Sequence, residues 1–350
     1  MTNKANLEAV NTTLKDLRGN QNIMGGVTFV IAGDFRQTLP IVELGNRADQ
    51  IDACIKNSVL WNKVQRKFKL TTNMRVHLRQ VDHNAAAWRF STNFLRLGYG
   101  EVNSDENGQI EMKEFGNIVE SLDVLKTSIF PNITQKYNYW PAFDDQWYSG
   151  RAILAPKNKI VEEINANLLQ QIPTGDGYVY KSVDTVMDIT ESVKYPPEYL
   201  NTIDCPGVPP HKLHLKPGVP IMLLRNLDPP QLCNGTQMLV KNLRQNIIEA
   251  VILDGPFKQK KVLIPRIRII PNLPIKFRRL QFPVRVSFAM TINKSQGQTL
   301  NKAGLDLTEP CFNHGQLYVG CSRVGSPDNL FILAPNGKSV NIVYPEALQN

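Results

Sequence analysis

Cysteine is scarce in this chain and falls into no pattern. Cys54, Cys205, Cys233, Cys311 and Cys321 are odd in number and contain no C-x-x-C pair, which excludes a disulfide framework and reads as reduced thiols. Cys205, His211 and His214 lie close in sequence, but prolines intervene and a fourth ligand is missing. The expectation there is a surface loop and no metal site. No run nears the roughly 18 apolar residues of a membrane span, and no basic-then-apolar leader opens the chain. A soluble protein with no secretory address and no membrane partner is therefore expected. A phosphate loop of the form G-x-x-x-x-G-K-[ST] is also missing. Asn336-Gly-Lys-Ser339 ends like one, yet the position five residues before Gly337 is Ile332. Nor does an Asp-Glu pair close any strand-like apolar run.

What is there suits a folded protein. The 350 residues leave room for two or three domains, and 42% hydrophobic content is that of a globular chain. Lys and Arg outnumber Asp and Glu by 40 to 31, a formal +9. That excess favours a polyanionic partner, although it is spread along the sequence.

Periodicity predicts a helix over Lys4–Arg18, with Leu7, Val10, Leu14 and Leu17 on one stripe and Gly19 past its end. Gly26–Ala32 is continuously apolar and β-branched, the pattern of a strand buried on both faces of a parallel sheet. It runs into Gly33-Asp-Phe-Arg-Gln-Thr-Leu-Pro40, at the strand end where open α/β sheets hold ligands. Gln37 there can orient a water or touch a terminal phosphate. The same residues also fit a capped loop, with Asp34 opening the turn and Pro40 stiffening it. A second helix is expected near Arg47–Asn57, a short strand at Lys67–Leu70 leading to Arg75, and a helix over Ala85–Leu97. Gly98–Gly116 reads as an exposed loop.

Near residue 145 the pattern restarts. Arg151–Ala155 reads as a strand, Pro156-Lys-Asn158 as a turn, and Ile160, Ile164 and Leu168 as the apolar stripe of a helix. From Lys216 to Phe282 the texture changes to short strands at Pro220–Leu224, Met238–Asn242, Ile247–Ile252 and Lys261–Pro265, separated by turn residues. Such spacing predicts a small antiparallel barrel. Its tail, Lys276-Phe-Arg-Arg-Leu-Gln-Phe282, interleaves basic and aromatic side chains, fitting either a stacking platform for a single strand or an edge protected by charge.

The least generic part lies near the C-terminus, in Phe288–Leu300 and His314–Val324. Gly297 allows close backbone approach, and Thr291, Lys294, Ser295 and Gln296 offer hydroxyl, ammonium and amide groups. Such a surface suits the phosphates of a nucleotide or a nucleic-acid backbone. Strands are expected at Ala303–Leu307 and Leu330–Ala334, with a short helical segment delivering Arg323 between them.

Thr291-Ile-Asn-Lys-Ser-Gln-Gly-Gln-Thr-Leu300 and Gly315-Gln-Leu-Tyr-Val-Gly-Cys-Ser-Arg-Val324 resemble motifs V and VI of the petite-integration-frequency (PIF) type DNA helicases. The variety is that of Helitron transposons, superfamily-one motors related to RecD. Gly33-Asp-x-x-Gln37 followed by proline resembles motif III, and Lys69-Leu-Thr-Thr-Asn-Met-Arg75 resembles motif IV. Leu223-Leu-Arg-Asn-Leu-Asp228 and Cys233-Asn-Gly-Thr236 resemble a Src-homology-three-type insertion of the same helicases.

The resemblance covers about residues 1–345 and implies an α/β fold of two RecA-like parallel-sheet motor domains. The first, incomplete, would span about 1–145. The second would span about 146–335, with the antiparallel β-barrel inserted at about 216–282 and a C-terminal tail after it. The implied activity is ATP-dependent 5′→3′ DNA unwinding in the nucleus by a monomer acting on single-stranded DNA and DNA forks. Gln37 and Arg75 would sense the γ-phosphate, and Arg323 would act as an arginine finger, worth about 10³–10⁵ in rate. Gly33, Asp34, Gln296 and Gly297 would line the ATP site. Pro156, Lys157, Asn158, Thr291, Asn293 and Lys294 would hold the DNA strand.

The missing phosphate loop and Asp-Glu pair, which would supply the Mg2+ ligands, imply that this is the C-terminal part of such a motor and inactive alone. The alternative is a non-catalytic nucleic-acid-binding remnant of a transposon helicase. A phosphate loop and Asp-Glu in frame upstream of Met1 would restore the enzyme; stop codons would favour the remnant. In either case the chain is expected to bind single-stranded DNA weakly, with affinity falling by about 0.7 log units per phosphate contact for each tenfold rise in salt. Fluorescence anisotropy across a salt series measures this slope, and a flat line would contradict it.

Overall fold

The computed structural model describes residues 2–42, 45–70, 85–137, 145–173, 177–188, 190, 192–205 and 207–349. The chain divides into two compact units. One comprises residues 1–122, 295–298 and 305–350, and the other residues 123–294 and 299–304.

In the second unit, Ala289–Thr291 pairs in parallel with Arg151–Ala155, so that Thr291 stands opposite Ala155. The helix Asn158–Gln170 follows the second of these strands and buries Ile160, Ile164 and Leu168, the stripe its sequence predicts. Asn165 locks helix to strand. Its amide donates to the Ala289 carbonyl at 3.0 Å and accepts the Ala289 N–H at 2.8 Å. This strand–helix–strand unit is the RecA-like element that presents Pro156–Asn158 and Thr291 at one edge.

The rest of the second unit is antiparallel. Lys261–Pro265, Ile247–Ile252, Gln237–Leu243, Pro220–Leu223 and Val284–Val286 form a five-stranded sheet in that spatial order. A three-stranded sheet joins Ile267–Ile269, Phe277–Gln281 and Val183–Val186. A hairpin-like pair joins Tyr178–Lys181 to Lys212–Leu215. Alternating apolar residues from the large sheet and the pair, including Tyr180, Leu213, Ile221, Met238, Ile248 and Ile264, share one core with Phe282. The strands expected at Ile247–Ile252 and Lys261–Pro265 form with those bounds.

The tail of this region departs from the stacking platform. Phe277 and Phe282 are fully buried, and so is Arg279. A pleated strand turns every second residue inward, so Phe277 and Arg279 share the inner face while Arg278 is exposed. Arg279 uses all five of its N–H groups. It grips the Asp184 carboxylate through Nε at 3.0 Å and NH2 at 2.7 Å, and reaches the carbonyls of Leu200, Ile203 and Pro209. Ser182 donates to the other side of Asp184 at 2.8 Å. One charge pair thereby pins the helix Pro197–Thr202 and the loop after it to the sheet.

In the first unit, the helix Lys4–Arg18 forms as expected, capped by the Asn3 side chain. Its predicted stripe is not buried, however: Leu7 packs inward while Val10 is 41% and Leu17 79% exposed. The strand expected at Gly26–Ala32 does not form. Ile23–Gly26 is a 3-10 turn, and Val27–Ala32 runs unpaired and exposed. A strand needs neighbours for its N–H and C=O groups, and among the described residues none lies beside this run. Lys67–Leu70 is likewise unpaired, with Phe68 86% and Leu70 93% exposed.

The second predicted helix stops early, as Arg47–Asp52, and a 3-10 turn at Ile55–Asn57 completes it. The helix near Ala85 runs to Tyr99. Gly98–Gly116 is not the exposed loop that was expected. Gln109–Glu111 pairs antiparallel with Lys338–Val340, and Ile110, Met112 and Phe115 are buried. That partner lies more than two hundred residues away, beyond any local pattern. Leu330–Leu333 pairs in parallel with Asn117–Ile118.

The Arg279–Asp184 pair yields a stability prediction. Replacing Arg279 with Met leaves a buried carboxylate without its counter-charge and should cost about 3–5 kcal/mol. Adding Asp184→Asn should recover much of that loss. Urea unfolding of the wild type and both variants measures the two effects.

Candidate functional site

Within the first unit, the residues after His314 enter a helix, Gln316–Cys321, every residue of which is buried. Small side chains at Gly320 and Cys321 admit this packing. At its start stands Gly315, with φ +67° and a backbone position where a Cβ would lie 2.1 Å from the Arg36 carbonyl oxygen. The chain here is thus pressed directly against the turn that holds Asp34 and Gln37. That turn closes through the Gln37 N–H, which donates to the Asp34 carbonyl at 3.0 Å.

Asp34 is the electrostatic centre of the turn. Its carboxylate accepts the Arg36 N–H at 3.1 Å, Arg36 Nε at 2.8 Å and the Tyr318 hydroxyl at 3.0 Å. Burial alone would raise its pKa, but the hydrogen bonds and charge of Arg36, with Tyr318 assisting, hold it below the usual carboxylate range. The Tyr318 hydroxyl is pushed up to about 12 by burial, with Asp34 adding to the effect. The Arg36 guanidinium lies over the rings of Tyr99 and Tyr318, 5.3 and 5.4 Å from their centroids.

Gln37 meets Gln296. Gln296 Nε2 donates to Gln37 Oε1 at 2.9 Å, and Gln296 Oε1 accepts from Thr38 Oγ1 at 3.2 Å. This leaves Gln37 Nε2 as a donor without a protein partner among the described residues. Beside them Gly297 is exposed, with φ +86° and open space where a side chain would stand. Gly33, at the entrance to the turn, is also exposed and open.

Arg323 does not project from this surface. It is buried, with Nε donating to the Val319 carbonyl at 2.7 Å and NH1 to the carbonyls of Ser295 and Gln298 at 3.2 and 3.0 Å. Within the turn the Ser295 carbonyl also accepts the Gln298 N–H at 3.0 Å, and the Arg323 guanidinium takes its second lone pair together with the Gln298 carbonyl. Gln37, Gln296, Gly297 and Arg323 therefore converge on one short turn. Arg75 lies outside the described residues.

The second unit gathers the other set. Thr291 stands opposite Ala155 in the parallel pair, so the Pro156–Asn158 turn and residues 291–294 leave the same sheet edge. Pro156 is buried, whereas Lys157, Asn158 and Lys294 are exposed. Asn293 Oδ1 is enclosed and without a hydrogen-bond partner among the described residues. Lys157 and Lys294 at a strand edge supply cations that can pair with the phosphates of a nucleic-acid backbone.

Sequence reasoning passed over Thr38, His314 and Tyr318. His314 and Tyr318 are one helical turn apart, but their partners Phe35 and Asp34 lie 279 and 284 residues away. Only a buried tyrosine hydroxyl in need of an acceptor hints at such a contact.

Residues 1–108 match the family described as PIF1-like helicase, and residues 198–243 match the 2B domain of DNA helicase Pif1. The ATP-dependent DNA helicase PIF1 of Danio rerio is 26% identical over 333 residues, covering 93% of this chain and 43% of its own length. The crystal structure of Pif1 helicase from Candida albicans superposes with a TM-score of 0.65 at 23% identity, covering 99% of this chain and 73% of that one. Pif1 from Bacteroides, solved with ADP-AlF3 and single-stranded DNA, gives 0.67 at 20% identity, covering 99% and 71%. These structures share the RecA-like α/β fold seen here. The chain spans less than half the length of the zebrafish relative.

Two glycines of the site separate conformational strain from collision. Gly315→Ala combines a left-handed φ with overlap of backbone on backbone and should lose about 2 kcal/mol or more. Gly297→Ala meets open space and should lose only the left-handed penalty, about 1 kcal/mol. Urea denaturation compares the two, and equal losses would contradict the wedge.

Proposed function

We propose that the chain is a PIF1-like helicase and forms the C-terminal part of an ATP-dependent DNA helicase moving 5′→3′ on one strand. The observation that carries this reading is the convergence of Gln37, Gln296 and Arg323 on the Ser295–Gln298 turn. Three stretches far apart in sequence, each resembling a helicase motif, meet at one place.

In this reading the free donor of Gln37 senses the terminal phosphate of ATP, and Arg75 assists. Gln296 fixes the Gln37 amide, while Gly33, Asp34 and Gly297 shape the backbone around the nucleotide. Hydrolysis of ATP supplies the driving energy. Arg323 is the arginine finger, stored on the carbonyls of Ser295 and Gln298 and freed when the turn rearranges around nucleotide. The one carboxylate in this cluster, Asp34, already serves Arg36 and Tyr318, so these residues do not fit a magnesium site. We assign the Mg2+ ligands to the part of the relatives that this chain does not cover. The DNA strand is held by Pro156, Lys157, Asn158, Thr291, Asn293 and Lys294. The protein acts in the nucleus as a monomer, on single strands and forks, with motor domains at about 1–145 and 146–335.

A second reading is favoured by one observation. The strand-holding set lies complete within the second unit, while Val27–Ala32 in the first has no neighbouring strand. This suits a non-catalytic single-strand binder.

Hydrolysis assays distinguish the two. The purified chain alone should show no DNA-stimulated ATP hydrolysis. Adding a polypeptide that supplies the phosphate loop and the Asp-Glu pair should restore it, and Arg323→Ala in that mixture should lower the rate at least about 10³-fold. Hydrolysis by the chain alone would overturn the fragment reading. Binding of DNA without restored hydrolysis would favour the binder.

A further inference from the structure

His314 is fully buried and has both ring nitrogens engaged. Tyr344 N–H donates to Nδ1 at 2.8 Å, and the opposite nitrogen, Nε2, lies 2.8 Å from the Phe35 carbonyl. The first bond requires an unprotonated Nδ1, so the ring is the neutral Nε2–H tautomer and donates to Phe35. Phe35 lies two residues before Gln37.

The segment on the other side of the ring is tied down repeatedly. Gly315 N–H donates to the Ile342 carbonyl at 3.0 Å. The Tyr344 ring stacks on His314 with centroids 5.3 Å apart, and the Arg47 guanidinium lies 4.7 Å from the centroid of the Tyr344 ring while pairing with Glu346 at 2.7 Å. Lys56 Nζ donates to the Ala347 carbonyl at 2.9 Å. Tyr344 and Ala347 complete a small core with Leu39 and Cys54.

We propose that His314 is a positioning residue that locks the Phe35–Gln37 turn to the C-terminal segment Ile342–Ala347, making that segment part of the frame of the nucleotide site. The inference rests on the reading of Gln37 given above for its purpose, but the lock itself is independent of nucleotide. An imidazole is suited to the position because it is donor on one side and acceptor on the other across a rigid ring. A second proton would set N–H against the Tyr344 N–H and break the lock.

The charged and titratable groups around the ring come from three elements. Asp34 and Arg36 belong to the turn, Arg47 to the helix Arg47–Asp52, and Tyr344 and Glu346 to the C-terminal segment. Burial, with Arg47 adding to it, lowers the ring's pKa from its usual value, against the opposing bond to Phe35 and the charge of Asp34. A histidine lowered in this way contributes its full stability above about pH 6.5, and the contribution is lost as pH falls below that value.

Two measurements on the 350-residue chain test the lock. Long-range 1H–15N spectra of its five histidines should show one ring in a fixed Nε2–H tautomer, with a titration midpoint below that of a free imidazole. An Nδ1–H tautomer, or an imidazolium at neutral pH, would overturn the proposal. Hydrogen exchange read by mass spectrometry should rise about tenfold or more in residues 34–39 and 342–348 for His314→Ala, with Gln316–Cys321 still protected. His314→Gln, able to donate towards Phe35, should restore residues 34–39 more than residues 342–348. A chain ending at Val340 keeps His314, and should also loosen residues 34–39; unchanged exchange there would sink the lock. Should His314→Ala fail to fold, the wild-type spectra and the shortened chain decide alone. None of these readouts involves ATP, so a lock that stands in a protein never restored to hydrolysis counts against the helicase reading and leaves the lock intact.

Discussion

A main-chain contact governs the first unit. The backbone at Gly315 lies so close to the Arg36 carbonyl that no side chain fits between them, and everything polar in the site follows from that proximity. With the two backbones pressed together, Tyr318 reaches Asp34, His314 reaches Phe35 and the Gln296 amide reaches Gln37. Each of these bonds is modest alone, roughly 0.5–1.5 kcal/mol net. Their directions are set jointly because the chain cannot retreat without emptying the space that Gly315 occupies.

The second unit solves a different problem by a different device. Its antiparallel strands are short, and a short strand contributes few ladder bonds. A buried guanidinium whose every donor is satisfied replaces that missing order, joining a helix and a loop to the sheet through one side chain. Buried ion pairs are weak sources of net stability but strong sources of specificity where a mispaired alternative would strand a charge. Here that charge pair ties the sheet of Val183–Val186 and Phe277–Gln281 to the helix Pro197–Thr202.

Legibility in the sequence followed locality. Helix Lys4–Arg18 and strands Arg151–Ala155, Ile247–Ile252 and Lys261–Pro265 form at the bounds their patterns imply, because caps, periodicity and turns lie within a few residues of one another. Gln109–Glu111 was illegible because its partner is Lys338–Val340. Val27–Ala32 misled for the opposite reason: its composition suits a buried strand, yet composition does not reveal whether neighbours are present. In the site, Gln37, Gln296 and Arg323 were readable as motif residues. The inward fold of Arg323 was not, since an arginine's destination depends on which carbonyls stand open nearby. Thr38, Tyr318 and His314 carry no local signature, and their roles arise from contacts across the whole chain length.

The run Val27–Ala32 has a practical consequence. Val30 is 83% exposed and Phe29 44%, on a chain segment with no hydrogen-bonded neighbour among the described residues. An uncovered apolar edge of this kind is a template for another copy of itself. In the isolated chain these six residues are therefore a stretch open to pairing with another copy. A lysine at Val30, 83% exposed, would place a charge on that edge without removing a buried contact.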